Sequence, residues 1–142
     1  MTTIDLPTAK RFFAAAPFMA DLGVEPVHVE PGKLTTVLAL AERHLQHTGQ
    51  VHAGVSTAMA DHTMGAAAQT LAPEHHLAIT ADLRASLLRA ARGTRLVCEA
   101  RVVKAGRNLS FTEADVYVET GHERVHVLRA SATMAITAAK KP

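Results

Sequence analysis

Residues 51–72 read VHAGVSTAMADHTMGAAAQTLA, a stretch of helix-forming composition in which Asp61 is the only formally charged side chain. Surface helices carry Lys, Glu or Arg along one face, so a segment this apolar and Ala-rich is expected to be a helix enclosed on most sides by other structure. A buried carboxylate without an ion-pair partner is costly. Sites that keep one use it, because desolvation leaves its oxygens available for base or nucleophile chemistry with a shifted pKa. The competing reading of Asp61 is a structural carboxylate that caps a neighbouring strand. By three-to-four residue spacing Gly54, Thr57, Ala58, Gly65 and Ala68 share the face of Asp61, and all are small. Something approaches that face closely: the sheet of the same chain, a partner subunit, or the narrow arm of a ligand.

Outward from this helix the period changes. Leu77, Ile79, Ala81, Leu83, Ala85 and Leu87 alternate with Thr80, Asp82, Arg84 and Ser86, the pattern of a half-buried strand. After a turn at Gly93, Leu96, Cys98, Ala100 and Val102 repeat it up to the turn at Ala105-Gly106. Two more strand-like runs cover 109–119 and 125–136, separated at Thr120-Gly121. In both the apolar parity switches midway, from Leu109 and Phe111 to Ala114, Val116 and Val118, and from Val125 and Val127 to Leu128, Ala130 and Ala132. A bulge or two-sided burial would explain the switch. The tail, TAAKKP, reads as frayed.

On the N-terminal side, Asp5-Leu6-Pro7-Thr8 is a helix start leading into AKRFFAAA, Pro17 opens a second short turn, PFMADL, and Gly23 closes it. Residues 24–30 and 33–40 form two strand-like runs joined at Pro31-Gly32, and the polar stretch AERHLQHTGQ leads into the long helix. A helix of about 20 residues spans roughly 30 Å, which long strands of a curved sheet can wrap lengthwise. The order predicts an α+β fold, a long central helix wrapped by a curved antiparallel β-sheet, with residues 1–142 forming a single domain.

Composition narrows the function. With 142 residues and 48% hydrophobic content there is one core's worth of chain, and the single Cys98 rules out an intrachain disulfide framework and fits a reducing compartment, the cytoplasm by default. The start, MTTIDLPTAKRFF, lacks the order of a signal peptide, and Asp61, His52, His62 and Gln69 interrupt the most apolar segment, so no membrane span is expected. A net charge of +2 does not by itself argue for nucleic acid, and aromatic content of 4% without Trp leaves no stacking platform. Arg84, Arg89, Arg92, Arg95, Arg101, Lys104 and Arg107 make one basic stretch, either a phosphate-holding region or a solvated sheet face. His44, His47, His52 and His62 have no Cys or Glu to complete a ligand set, so no metal is expected. Met59, Met64 and Met134 read as core filler.

The start of the helix, His52-Ala53-Gly54, presents backbone N–H groups without intrahelical acceptors at the positive end of the helix dipole. A thioester or similar carbonyl docked there would have its developing oxyanion stabilised by the amide of Ala53 or Gly54. Asp61 lies two turns further on, about 12 Å away by helix rise, too far to serve the same carbonyl within one chain. Two chains packed with their helices antiparallel bring one chain's amide to the other's carboxylate. This predicts an obligate dimer with its sites at the interface.

The run QHTGQVHAGVSTAMADHTMG, with PFMADLGV before the first strand, AITADLRASLLRAARG after the helix and VVKAGRNLSFTEADVYV near the end, resembles the hotdog-fold acyl-CoA thioesterases of the PaaI-like (phenylacetyl-CoA thioesterase-like) family over nearly the whole chain. The family pattern has an Asn and a Gly, then His-Gly-Gly at the helix start and an Asp two turns on. His52, Gly54 and Asp61 match, while Ala53 replaces the first Gly. The resemblance implies hydrolysis of an acyl-CoA to free acid and CoA, with Asp61 as general base or nucleophile directing water at the thioester carbon and the Ala53 amide binding the carbonyl oxygen. His52 would order the helix start, and Gln46 or His47 would stand where the family has Asn. Thr80 would supply a hydroxyl near the base, although its strand parity opposes the Leu83 face. Gly106, Arg107 and Asn108 resemble the turn that contacts the nucleotide phosphates of CoA. The resemblance further implies no separate cofactor, CoA being part of the substrate, and a homo-oligomer, either a dimer or a dimer of dimers. The acyl group stays open among aryl, medium-chain and hydroxylated types. Two alternatives rank behind hydrolysis. A hotdog enoyl- or hydroxyacyl-CoA hydratase is disfavoured because His62 directly follows Asp61 and so points to another face. A non-catalytic acyl-CoA-binding sensor is disfavoured because no DNA-binding segment is expected in this chain.

Overall fold

The computed structural model describes residues 4–140. The first three residues of the MTTIDLPTAKRFF run and the last two of the TAAKKP tail lie outside them. Two short helices, α1 (Leu6–Ala15) and α2 (Pro17–Leu22), precede the hairpin β1 (Glu25–Glu30) and β2 (Lys33–Ala39). The long helix α3 (Ala53–Gln69) follows, and then β3 (His76–Leu87), β4 (Arg95–Ala105), β5 (Leu109–Thr120) and β6 (Glu123–Ala138). The expected N-terminal signals act as read. The Asp5 carboxylate accepts from the Thr8 N–H at 2.9 Å, and Gly23 closes α2 with a φ of 90°.

The strands form one antiparallel sheet in the order β1-β2-β4-β5-β6-β3. One helix packs against five of them, β2 to β6, so the sheet curves around α3. This is the hotdog arrangement expected from the sequence. Met59, Ala60, Met64 and Ala67 of α3 are fully enclosed against Leu34, Leu38, Leu96, Leu128 and Met134 of the sheet.

The helix is shorter than the quoted stretch at both ends. Val51 instead bridges to Leu45 and donates its N–H to the Ala91 carbonyl, so the chain is still extended there. At the far end the Thr70 hydroxyl donates to the Ala67 carbonyl and accepts the Gly32 N–H, tying the helix end to the β1–β2 turn.

Strand parity needs correction in two places. In β3, Ala81 is an extra residue between Thr80, which faces Met134, and Asp82, which faces Thr133. The bulge moves the helix-facing set from Ala78 and Thr80 to Leu83, Ala85 and Leu87, leaving Leu77 and Ile79 on the outer face, 43% and 52% exposed. In β5 there is no switch. Ser110, Thr112, Ala114, Val116 and Val118 all face α3, and Leu109 and Phe111 stand outside. The parity change expected in β6 does occur, because Val127 is an extra residue opposite Val116 and Tyr117.

β3 forms one edge of the sheet. Its Leu83 and Leu87 are exposed although they point to the helix side, since no strand of the described residues pairs beyond that edge.

Candidate active site

The sheet and α1 enclose α3 except for one stripe. Gly54, Thr57, Ala58, Asp61 and Gly65 lie on it, while Ala68, expected on the same face, is buried. Asp61 is half-buried rather than buried, and it is not without a partner. The Thr80 hydroxyl donates to its Oδ1 at 2.7 Å. The Ala81 bulge makes this contact possible, since with unbroken alternation Thr80 would face away from Leu83 and from the helix. One carboxylate oxygen is thereby fixed in place and the other has no protein donor among the described residues.

The helix start is built around His52. Its backbone is extended, with φ −62° and ψ 135°, and its Nδ1 accepts the Gly54 N–H at 2.8 Å. An accepting Nδ1 carries no proton, so the neutral ring bears its proton on Nε2. The Gly54 amide is therefore engaged within the chain, and of the two amides expected to polarise a carbonyl only that of Ala53 has no acceptor among the described residues. A Cβ on Gly54 would lie 3.0 Å from the His52 Nδ1, so glycine is what allows the cap to close this tightly.

Ala53 opens onto a cleft of about 360 Å³ whose walls include Gln46, Gln50, Ser56, Leu88 and Arg89. Gln46 and Ala53 thus share one cleft, of which His47 is not a wall. A tight loop sets this placement: Gln46 donates its N–H to the Gln50 carbonyl, and Gly49 turns the chain with a φ of 83°. Gln50, Ser56 and Arg89 escaped the sequence reading. Arg89 was legible only as one cation in a basic run, and its N–H to the His126 carbonyl, at 3.3 Å, fixes it at the cleft.

Asp61 is not a wall of this cleft. It sits about two helical turns away, so the chain brings Asp61 together with Thr80, and Ala53 together with Gln46, at two separate places. The Gly106–Asn108 turn lies at a third place. The Gly106 N–H donates to the Leu109 carbonyl, the Asn108 carbonyl accepts from Ile136, and Arg107 is exposed. Ile136 pairs with Ala78 of β3, which puts the turn at the Thr80 end of the sheet rather than at the Leu87 end beside Ala53. A Cβ on Gly106 would lie 2.6 Å from the Leu109 oxygen, so only glycine fits there.

The basic stretch divides. Arg95 pairs with Glu119, and Arg101 with Glu113 and Asp115, so these belong to an ion network on the outer sheet face. Arg89 and Arg92 bond backbone carbonyls. Among the histidines, His44 accepts the Ala41 N–H at one ring nitrogen and bonds the Leu22 carbonyl through the other, tying the loop to α2. The described residues hold no cluster of three metal-ligating side chains and no helix long and apolar enough to cross a membrane. Burial pushes the Cys98 thiol up to about 12.

A sheet curved around one helix, with a carboxylate and an open helix start on that helix's uncovered stripe, defines a hotdog domain. The chain belongs to the thioesterase superfamily, whose family model matches residues 48–125. Among solved structures it is similar to a thioesterase family protein from Silicibacter pomeroyi, with 28% identity and a TM-score of 0.89 over 92% of this chain and 96% of that one. A thioesterase from Haemophilus influenzae shares the fold at 20% identity and a TM-score of 0.88, covering 99% and 95% of the two chains. A variant of the phenylacetic acid degradation protein PaaI from Thermus thermophilus aligns at 25% identity and a TM-score of 0.74, over 84% and 97%. No functionally curated protein matches the sequence.

Proposed function

We propose that the protein is an acyl-CoA thioesterase that hydrolyses a CoA thioester to free acid and CoA across a homodimer interface. The observation that carries this reading is the Thr80–Asp61 hydrogen bond on the uncovered stripe of α3, two turns from an amide without an acceptor. Thr80 holds one oxygen of Asp61, and the other takes a proton from water. The resulting hydroxide adds to the thioester carbon, the carbonyl electrons move onto oxygen beside the Ala53 N–H of the partner, and collapse breaks the C–S bond to release CoA thiolate. Gln46 faces the same carbonyl from the loop. His52 keeps the helix start in register, and Gly106, Arg107 and Asn108 meet the nucleotide phosphates. The reaction needs water and no further cofactor, and a reduced, buried Cys98 suits the cytoplasm.

The dimer follows from the edge of the sheet. The Gln69 side chain takes the His76 carbonyl and the Ala78 N–H of β3, and along the rest of its 12 residues the outer edge has no strand partner among the described residues, with Leu83 and Leu87 uncovered beside it. Such an edge pairs readily with another strand. Antiparallel pairing of two β3 strands about a two-fold axis lays the two α3 helices side by side in opposite directions, each small-residue stripe against the other. That brings each Asp61 to the partner's Ala53.

Thiol release from a panel of aryl, medium-chain and hydroxylated acyl-CoAs, wild type against Asp61→Ala, tests the assignment. Near-complete loss of turnover with folding retained is expected, and unchanged turnover would overturn it.

A further inference from the structure

His62 is a titratable group that the reaction above does not use, and its surroundings are unusual for one. Its ring stacks on Phe12 with centroids 5.2 Å apart and planes 21° apart, and it meets Phe13 edge-on at 4.6 Å. Both phenylalanines belong to α1. The imidazole serves as a third aromatic ring in the α1–α3 contact, beside Phe13 and Ala9, which are buried. Of its two nitrogens, Nε2 is buried without a hydrogen-bond partner among the described residues.

A neutral imidazole can tolerate this, with its proton on Nδ1 and Nε2 left as a bare lone pair among carbon atoms. Protonation adds an N–H and a positive charge at Nε2, where no acceptor stands. Among the described residues, Asp61 is the charged group whose field acts on the ring. As the preceding residue it lies about 100° around the helix, and Nε2 makes no hydrogen bond to it. The charged side chains of α1, Asp5, Lys10 and Arg11, are exposed: Asp5 caps the helix, Arg11 bonds the Thr8 hydroxyl, and Lys10 borders a cavity with Glu25 of β1. Asp21 of α2 is exposed as well. None of them is an acceptor for the ring.

We propose that His62 is a proton-sensitive latch for α1: neutral, it holds the helix between Phe12 and Phe13, and protonated, it releases α1 from α3. The direction agrees with the electrostatics. Burial holds the docked ring below its ordinary value of 6.5, with Asp61 opposing more weakly. The released form takes up a proton first, so docking is complete above that value and is lost as pH falls below it. The latch is a property of the packing and does not rest on the thioesterase reading.

Hydrogen exchange of the full chain, corrected for intrinsic exchange rates, tests it. Between pH 7.5 and pH 5.5 the amides of α1 should lose protection by up to about tenfold per pH unit, the limit for one linked proton, while those of β5 keep theirs. In His62→Leu, α1 protection should not depend on pH over this range. If that variant does not fold, His62→Gln takes its place, since it too cannot titrate. Wild-type α1 protection that is the same at both pH values, or an equal loss in the non-titrating variant, would overturn the proposal.

Discussion

The Thr80 hydroxyl reaches Oδ1 of Asp61 at 2.7 Å from a strand whose next residue, Ala81, is a bulge. The hydroxyl donates to a carboxylate, so it fixes one oxygen of the group read as the general base. Thr80→Val keeps the branched shape and removes the donor. It should lower kcat by about 10- to 100-fold with little change in KM, the range expected for a hydrogen bond to a charged group. Thr80→Ser should restore most of the rate. A valine variant with wild-type kcat in steady-state thiol-release assays would remove Thr80 from the mechanism.

The Ala53 amide can be deleted without touching a side chain. Ala53 is the first residue of α3, and His52 before it already has the extended backbone that a following proline demands. Ala53→Pro therefore removes the N–H at a position where proline is favoured, and no hydrogen bond among the described residues is lost. The expected result is an unchanged unfolding temperature and a fall in kcat of about 10²- to 10³-fold, the cost of one oxyanion donor. A rate close to wild type would assign the carbonyl contact elsewhere.

How far the sequence discloses this arrangement depends on the range of the forces involved. The central helix was legible because its composition is dictated by enclosure on most sides, and the wrapped sheet because long alternating runs have few other ways to bury themselves. Thr80 was not placed by the alternation alone, and only the resemblance set it near Asp61. Its parity put it opposite Leu83, and only pairing with β6 reveals that Ala81 is left over. β5 misled in the opposite sense: Leu109 and Phe111 look like core, yet the small and polar Ser110 and Thr112 face the helix. The helix start alone left the Ala53 and Gly54 amides equivalent, because which of them stays free depends on where the His52 ring folds back.

Cys98 lies among Thr36 and Thr63 on the helix side of β4, fully enclosed, and burial pushes its thiol up to about 12. A thiol that stays protonated is a poor nucleophile. In the native protein at pH 8 it should not react with a disulfide reagent over the time in which an exposed cysteine reacts completely, and it should titrate as one thiol after unfolding in guanidinium. Rapid native labelling, followed by colour release, would show that β4 opens far more readily than its packing implies.

The proposed division of the site between two chains has a consequence that a site within one chain cannot mimic. Asp61→Ala homodimers lack both carboxylates and Ala53→Pro homodimers lack both amides, so each alone should be nearly inactive. A mixed dimer holds one interface site with Asp61 from the proline chain and the amide from the alanine chain, both intact, and a second site with both defects. Unfolding an equal mixture and refolding it gives mixed dimers as half of the population, so about a quarter of wild-type activity should return, as expected for paired sites about a two-fold axis. Mixing without exchange of chains should return none. If the refolded mixture shows only the sum of the two residual activities while native mass measurement detects mixed dimers, each site draws its carboxylate and its amide from the same chain.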